Sequence, residues 1–182
     1  QRLVLLESTD HAVGYSIDCL GFSANGEYLA AAGQQGQVFV WQMQFLEQPA
    51  VILGNPPCWV DCLAWHPTEP VLVFGAGRHL KVWNVATMQL LTTQDFEASS
   101  VLALSWHPEG KQLAVSGHRG VKIWQCDNWT AVPELIEVPG ASLSVDWSPD
   151  GVYLASGNLD RTLTVVHSGT PLPWLMQGFP DK

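Results

Sequence analysis

Cys58, Cys62 and His66 stand four residues apart, a set of soft ligands that invites a zinc reading. Residues 60–65 alternate as a strand does, however, and side chains four apart on a strand lie about 13 Å apart along its axis. They cannot share one ion without a bulge. Cys62 also takes the place of Cys19, Ala103 and Ser144 elsewhere in the chain, so it reads as a small residue in a crowded layer. No metal or other cofactor is expected. His66 and His107 each precede a proline at points where Ser23 and Ser148 stand, so they read as side chains that hydrogen-bond to the backbone of a turn. No Ser, Cys, His and Asp set has the spacing of a nucleophile with its base, and no glycine-rich loop leads into a helix. No catalytic residue is expected.

A more regular set of groups is cationic. Arg78, Arg119 and Arg161 each lie five residues before Trp83, Trp124 and Val166, and Gly36 takes the same place before Trp41. Three of the four arginines thus occupy one register, with His79 and His118 beside them. Forked guanidinium contacts suit carboxylates and other anions, so these five residues are candidates for binding an acidic peptide segment. The same residues also read as solvated turn charges. Trp59, in the stretch NPPCW, and Tyr15, in HAVGY, are candidate aromatic anchors for a partner.

The elements that must position these groups are repeated. CLGFSANGEYLAAAGQQGQVFVW ends at Trp41, CLAWHPTEPVLVFGAGRHLKVW at Trp83, ALSWHPEGKQLAVSGHRGVKIW at Trp124 and SVDWSPDGVYLASGNLDRTLTVV at Val166. The period is 41–42 residues. Each copy reads as three alternating runs, a, b and c, separated by turns, with a weaker fourth run, d, between copies. In the first turn, SANGE, HPTEP, HPEGK or SPDGV, proline presets one dihedral and Gly or Asn accepts positive φ. The a-to-c runs are expected at 16–42, 60–84, 101–125 and 142–167, and the d strands at 3–7, 50–54, 89–93, 134–138 and 173–177. Trp41, Trp65, Trp83, Trp106, Trp124 and Trp147 all fall on repeat positions, so most of the tryptophan content reads as architecture.

Four-stranded units of this length in tandem, with the aromatic-Ser/His-Pro turn, a second strand of the type LASGNLD and a third ending in Trp, resemble the WD-repeat β-propeller family. The resemblance covers nearly the whole chain and implies an all-β fold of four-stranded antiparallel blades, four of them, in a partial or open ring. It also implies that the b-to-c turns share one face with the d-to-a loops, opposite Glu27, Glu69, Glu109 and Asp150 of the a-to-b turns. The family often braces a blade through a Trp, a Ser or Thr, an Asp and a His. Here Asp160 and Ser156 fit that pattern, but Val166 replaces the Trp and only His11 stands near the His position. The brace reads as eroded, which leaves apolar packing between sheets to hold the blades.

The net charge of −9 disfavours nucleic acid and anionic membranes as partners. Irregularly spaced cysteines and the absence of an export leader or long apolar run lead to the expectation of a cytoplasmic protein with reduced thiols. The run RLVLLE at one end and PWLMQ at the other both read as d strands, which suggests a portion of a larger propeller whose open blade faces allow self-association. By analogy with the family, the expected function is a non-catalytic scaffold that binds protein partners on the b-to-c face. Two alternatives stay open: a small ligand, anion or metal held at the channel mouth, as in an enzyme, and a regulatory segment of a multidomain protein.

Overall fold

The computed structural model describes residues 16–54, 58–96, 100–168 and 174–176. The d strand expected at 3–7, His11 and Tyr15 lie outside them. Strands β1 (Ile17–Phe22), β2 (Tyr28–Gly33), β3 (Val38–Gln42) and β4 (Val51–Ile52) form one antiparallel sheet in chain order. A second contains β5 (Cys62–Trp65), β6 (Val71–Ala76), β7 (His79–Asn84) and β8 (Gln89–Asp95). The rest is built from β9 (Val101–Trp106), β10 (Gln112–Gln125), β11 (Glu134–Trp147), β12 (Tyr153–Asn158), β13 (Leu163–His167) and β14 (Trp174–Met176).

Two of these strands run through positions where separate strands were expected. The first half of β10 pairs with β9 and its second half with β11. Between them the chain doubles back at His118 and Arg119 (φ 76°), with Gly120 (φ 127°) just after, and the Cys126 N–H closes the hairpin on the Lys111 carbonyl at 2.9 Å. The outer strand expected at 134–138 is likewise the start of β11, which continues as the inner strand of the next blade and pairs there with β12. Gly140, at φ 84°, bends the chain in place of a loop. Counted by pairing, β9 to β14 make the third and fourth four-stranded blades.

The a-to-b turns close alike in all four blades. The N–H of Ser23, His66, His107 and Ser148 donates to the carbonyl of Tyr28, Val71, Gln112 and Tyr153 at 2.8–2.9 Å. Ser23 Oγ and Ser148 Oγ accept the returning N–H of Tyr28 and Tyr153 at 2.9 and 2.8 Å. In blades two and three a histidine does related work: His66 Nδ1 accepts the Glu69 N–H at 3.0 Å, and His107 Nδ1 the Glu109 N–H at 3.1 Å. An Nδ1 that accepts leaves the ring proton on Nε2. That proton points across to the next blade, at the Gly110 carbonyl (3.0 Å) from His66 and the Gly151 carbonyl (3.2 Å) from His107. A Cβ at Gly110 would sit 2.3 Å from the His66 ring, so this turn needs glycine for space as well as for its φ of 74°.

The same rings pack on the next blade's tryptophan. Tyr28 stacks on Trp65 at 6.0 Å, and His66 and His107 meet Trp106 and Trp147 edge-on at 4.6 and 4.9 Å. Three apolar clusters fill the space between successive sheets. Ala30, Ala32, Val38 and Val40 of blade one pack on Leu72, Phe74 and Ala76 of blade two. Val71, Val73, Leu80 and Val82 of blade two pack on Leu113, Val115 and Trp124 of blade three. Ala114, Val121 and Ile123 of blade three pack on Val145, Trp147 and Leu154 of blade four. Small and β-branched side chains thus face larger ones across each interface, which is how a sheet-on-sheet core reaches native packing density.

Where the resemblance implied a brace, blade four holds a buried hydroxyl and amide network. Ser142 Oγ lies 2.7 Å from Ser156 Oγ, which donates to Asn158 Oδ1 at 2.8 Å, and Asn158 Nδ2 donates to Thr164 Oγ1 at 2.9 Å. Asp160 instead caps the b-to-c turn, accepting the Thr162 N–H at 3.1 Å. Replacing His66 by Ala removes a turn acceptor, a donor to the next blade and a ring contact at one buried point. Urea unfolding should then show a loss of about 1–3 kcal/mol, partly restored in His66→Asn; an unchanged midpoint in His66→Ala would contradict the inter-blade role.

Candidate functional site

The arginine register lies on turns of two designs. In blades one and four the turn is five residues long, from Gly33 to Gln37 and from Asn158 to Thr162, and the fourth residue donates its N–H back to the first carbonyl: Gly36 to Gly33 at 3.0 Å, Arg161 to Asn158 at 3.2 Å. In blade two the turn is only Gly77 and Arg78 between the paired residues Ala76 and His79. Blade three reverses at His118 and Arg119.

This register favours the left-handed region. Gly36 sits at φ 73°, Arg119 at φ 76° and Arg161 at φ 69°, whereas in blade two the neighbouring Gly77, at φ 58°, takes the positive angle and spares Arg78. A non-glycine residue held there costs on the order of 1 kcal/mol, and such outliers gather at working surfaces. All three arginine side chains are exposed, as are His79 and His118.

Around blade two these groups meet others. The d-to-a segment before β5 is tied to the b-to-c turn of blade one by the Val60 N–H, 3.2 Å from the Gly33 carbonyl. Trp59 therefore lies on the same face as that turn, and it is 59% exposed. Next to it, Cys58 Sγ lies 3.5 Å from where a Cβ on Gly77 would stand. Cys58, Gly77, Arg78, His79, Lys81 and Thr93 border a cavity of about 500 Å³. Arg78 is not idle: its Nε and NH2 form a forked ion pair with the Asp95 carboxylate, which holds the guanidinium pKa above its ordinary value.

The structure thus gathers Arg78 and His79 with Cys58, the chain neighbour of Trp59, and sets His118 with Arg119 and, separately, Arg161 on the b-to-c turns of the following blades. Lys81, Thr93 and Asp95 were not singled out by the repeat. Lys81 could have been, because it follows His79 by two residues on a strand and so shares its face; Asp95 becomes visible only through the β7–β8 register, in which it opposes His79.

The cysteines offer no ligand set. Among the described residues no group of three His, Cys, Asp or Glu side chains comes close enough to hold a metal ion. Burial pushes the Cys19, Cys62 and Cys126 thiols up to about 12, and Cys19 Sγ donates to the Val60 carbonyl of the next blade at 3.4 Å. Burial also raises Cys58, against the pull of nearby Lys81. Among the described residues no helix is long and apolar enough to cross a membrane.

Four-stranded antiparallel sheets that follow one another face to face, each offering short turns on a common edge, are blades of a β-propeller. The chain belongs to the WD40 family: the model of the WD domain, G-beta repeat, matches residues 5–42, 48–84, 88–125 and 138–166. Among curated proteins it is similar to coronin-7 of Rattus norvegicus, 39% identical over 80 residues, which cover 40% of this chain and 9% of that protein. Coronin-7 of Mus musculus and of Homo sapiens are each 36% identical over 80 residues, with the same coverage. The matched part is therefore about a tenth of the relatives' length.

The backbone cost at Arg119 has a measurable consequence. Arg119→Gly should raise stability by about 0.5–1 kcal/mol, and Arg119→Ala, which keeps the positive φ, should not. Thermal melting would show it, and a destabilised glycine variant would mean that the Arg119 side chain itself supports the fold.

Proposed function

We propose that this chain is a non-catalytic platform for protein partners, engaged through the face that carries the b-to-c turns. The observation that supports this best is the pair Arg119 and Arg161, exposed cations kept at positive φ in a register that blade one fills with glycine. The opposite turns are already committed, since Ser23, His66, His107 and Ser148 serve the backbone and the next blade. In a chain of net charge −9, a face bearing Arg78, Lys81, Arg119 and Arg161 is suited to an acidic protein segment. The family and the likeness to coronin-7 agree with a protein-binding propeller of cytoplasmic location, within a longer protein or assembly.

Replacing Arg78, Arg119 and Arg161 together by Ala should abolish capture of partners while the melting temperature stays within a few degrees. Lysine-directed cross-linking of the captured complex should mark Lys81 and Lys122 over Lys111, which lies in an a-to-b turn. An unchanged set of partners in the triple variant, or cross-links centred on Lys111, would refute the assignment.

A second surface supports a separate contact with another sheet. Gly21 faces Leu63 and Trp65 of blade two, so the alternating Leu20 and Phe22, 67% and 56% exposed, point away from it. A further blade or a second copy is the fitting cover. Light scattering of the isolated chain should then show a dimer or larger species, and a soluble monomer near the chain mass of 19.9 kDa would count against it.

A further inference from the structure

The cavity beside the blade two hairpin carries a sharper reading, which rests on the platform proposed above. Lys81 is half-buried at its wall, and among the described residues it makes no hydrogen bond or ion pair. Withdrawing a cation from water without a partner is unfavourable, so such a group is a ready receiver for an incoming anion. Arg78, on the same rim, already shows the recognition geometry: its fork is closed on a carboxylate, that of Asp95. Both members of this pair are about half exposed, 55% and 46% by side chain, and exposed pairs add little to stability, so a competing carboxylate can exchange with Asp95 at small cost.

The remaining wall includes the apolar Ala76 and Gly77 and the thiol-bearing Cys58, which exposed Trp59 follows in the chain. At about 500 Å³ the space exceeds what a lone carboxylate needs. A charged rim beside small apolar residues, in a space of this size, fits a peptide side chain with its flanking carboxylate better than a compact ion.

We propose that this cavity receives an acidic segment of a partner protein. One apolar side chain enters beside Cys58, and a neighbouring carboxylate pairs with Lys81 and takes the place of Asp95 on Arg78. Asp95 is then an internal stand-in for the ligand, which holds Arg78 ready and is expelled on binding.

The test uses the full chain and an array of fluorescein-labelled octamers. Each octamer carries one Leu, Ile, Phe or Trp flanked by Asp or Glu, and each has a twin with Asn or Gln in place of the acids. The best acidic octamers should bind about tenfold more tightly than their twins, and Lys81→Ala and Lys81→Gln should each weaken them about tenfold. Asp95→Asn should strengthen them about threefold by freeing Arg78, which a structural role for Asp95 would not produce. Melting curves identify any variant that has not folded, and the two Lys81 replacements differ in bulk, so one well-folded variant suffices.

An array in which no octamer outdoes its twin would overturn the proposal, as would binding indifferent to both Lys81 variants. Competition by benzoate alone as strong as by the octamers would also overturn it, showing a site for small anions. Binding lost in Arg119→Ala and Arg161→Ala but kept in the Lys81 variants would remove this cavity and leave the platform standing; indifference to all four would remove both.

Discussion

One contact, made three times, holds the chain in order: the tryptophan that ends the inner strand of a blade lies against a ring from the blade before it. Tyr28 covers Trp65, His66 covers Trp106 and His107 covers Trp147. The contact fixes register as well as distance, since Trp65 Nε1–H donates to the Gly21 carbonyl at 2.8 Å and Trp106 Nε1–H to the Ala64 carbonyl at 3.4 Å. At Trp147 the buried indole N–H has no partner among the described residues, and the backbone N–H bonds instead to Ser105 Oγ at 3.1 Å, while that hydroxyl donates to Asp146. On the far side of the ring edge the blades are joined again by the Val60 and Val101 N–H groups, which donate to the Gly33 and Gly77 carbonyls of the preceding b-to-c turns. Apolar clusters fill the layer between these two lines of hydrogen bonds.

Blades fixed at both edges leave their turns as the place where sequence can vary without loss of fold. The two sets of turns use that freedom differently. On the a-to-b side each Ser or His closes its own turn, and the two histidines also reach across to the next. On the b-to-c side the turns are short and tightly reversed, and those of blades two, three and four carry exposed cations. A rigid support of this kind lowers the entropy lost when a flexible partner segment docks, because only one side has to be ordered. Positive charge gathered on one face of an acidic molecule attracts acidic segments locally, within about a Debye length, an effect that weakens as salt rises.

Much of this was legible in the residues, and the gaps have physical causes. The period, the turn chemistry and the spacing of Trp65, Trp106 and Trp147 state the blades and their packing directly, and the equivalence of His66 and His107 with Ser23 and Ser148 identifies them as turn residues. What that equivalence hides is their second role, because the Nε2 contact depends on how close the next blade stands. The brace in blade four reads as eroded from Asp160 and the missing Trp, whereas the buried network that joins Ser142, Ser156, Asn158 and Thr164 becomes visible only once β11, β12 and β13 are brought together. The fusion of two runs into β11 depends on one glycine bending where a loop was expected. The arginine register could be counted along the chain, but the capture of Arg78 by Asp95 could not, since it spans 17 residues and a bulge between Val82 and Trp83.

The assignment of one face to partners and the other to blade closure is tested most directly by hydrogen–deuterium exchange with and without a captured partner. Protection should appear at the b-to-c turns, residues 76–81, 117–122 and 158–163, and at residues 58–60. The a-to-b turns at 23–28, 66–71, 107–112 and 148–153 should exchange as before. Protection centred on those a-to-b turns, with the arginine-bearing turns unchanged, would contradict it.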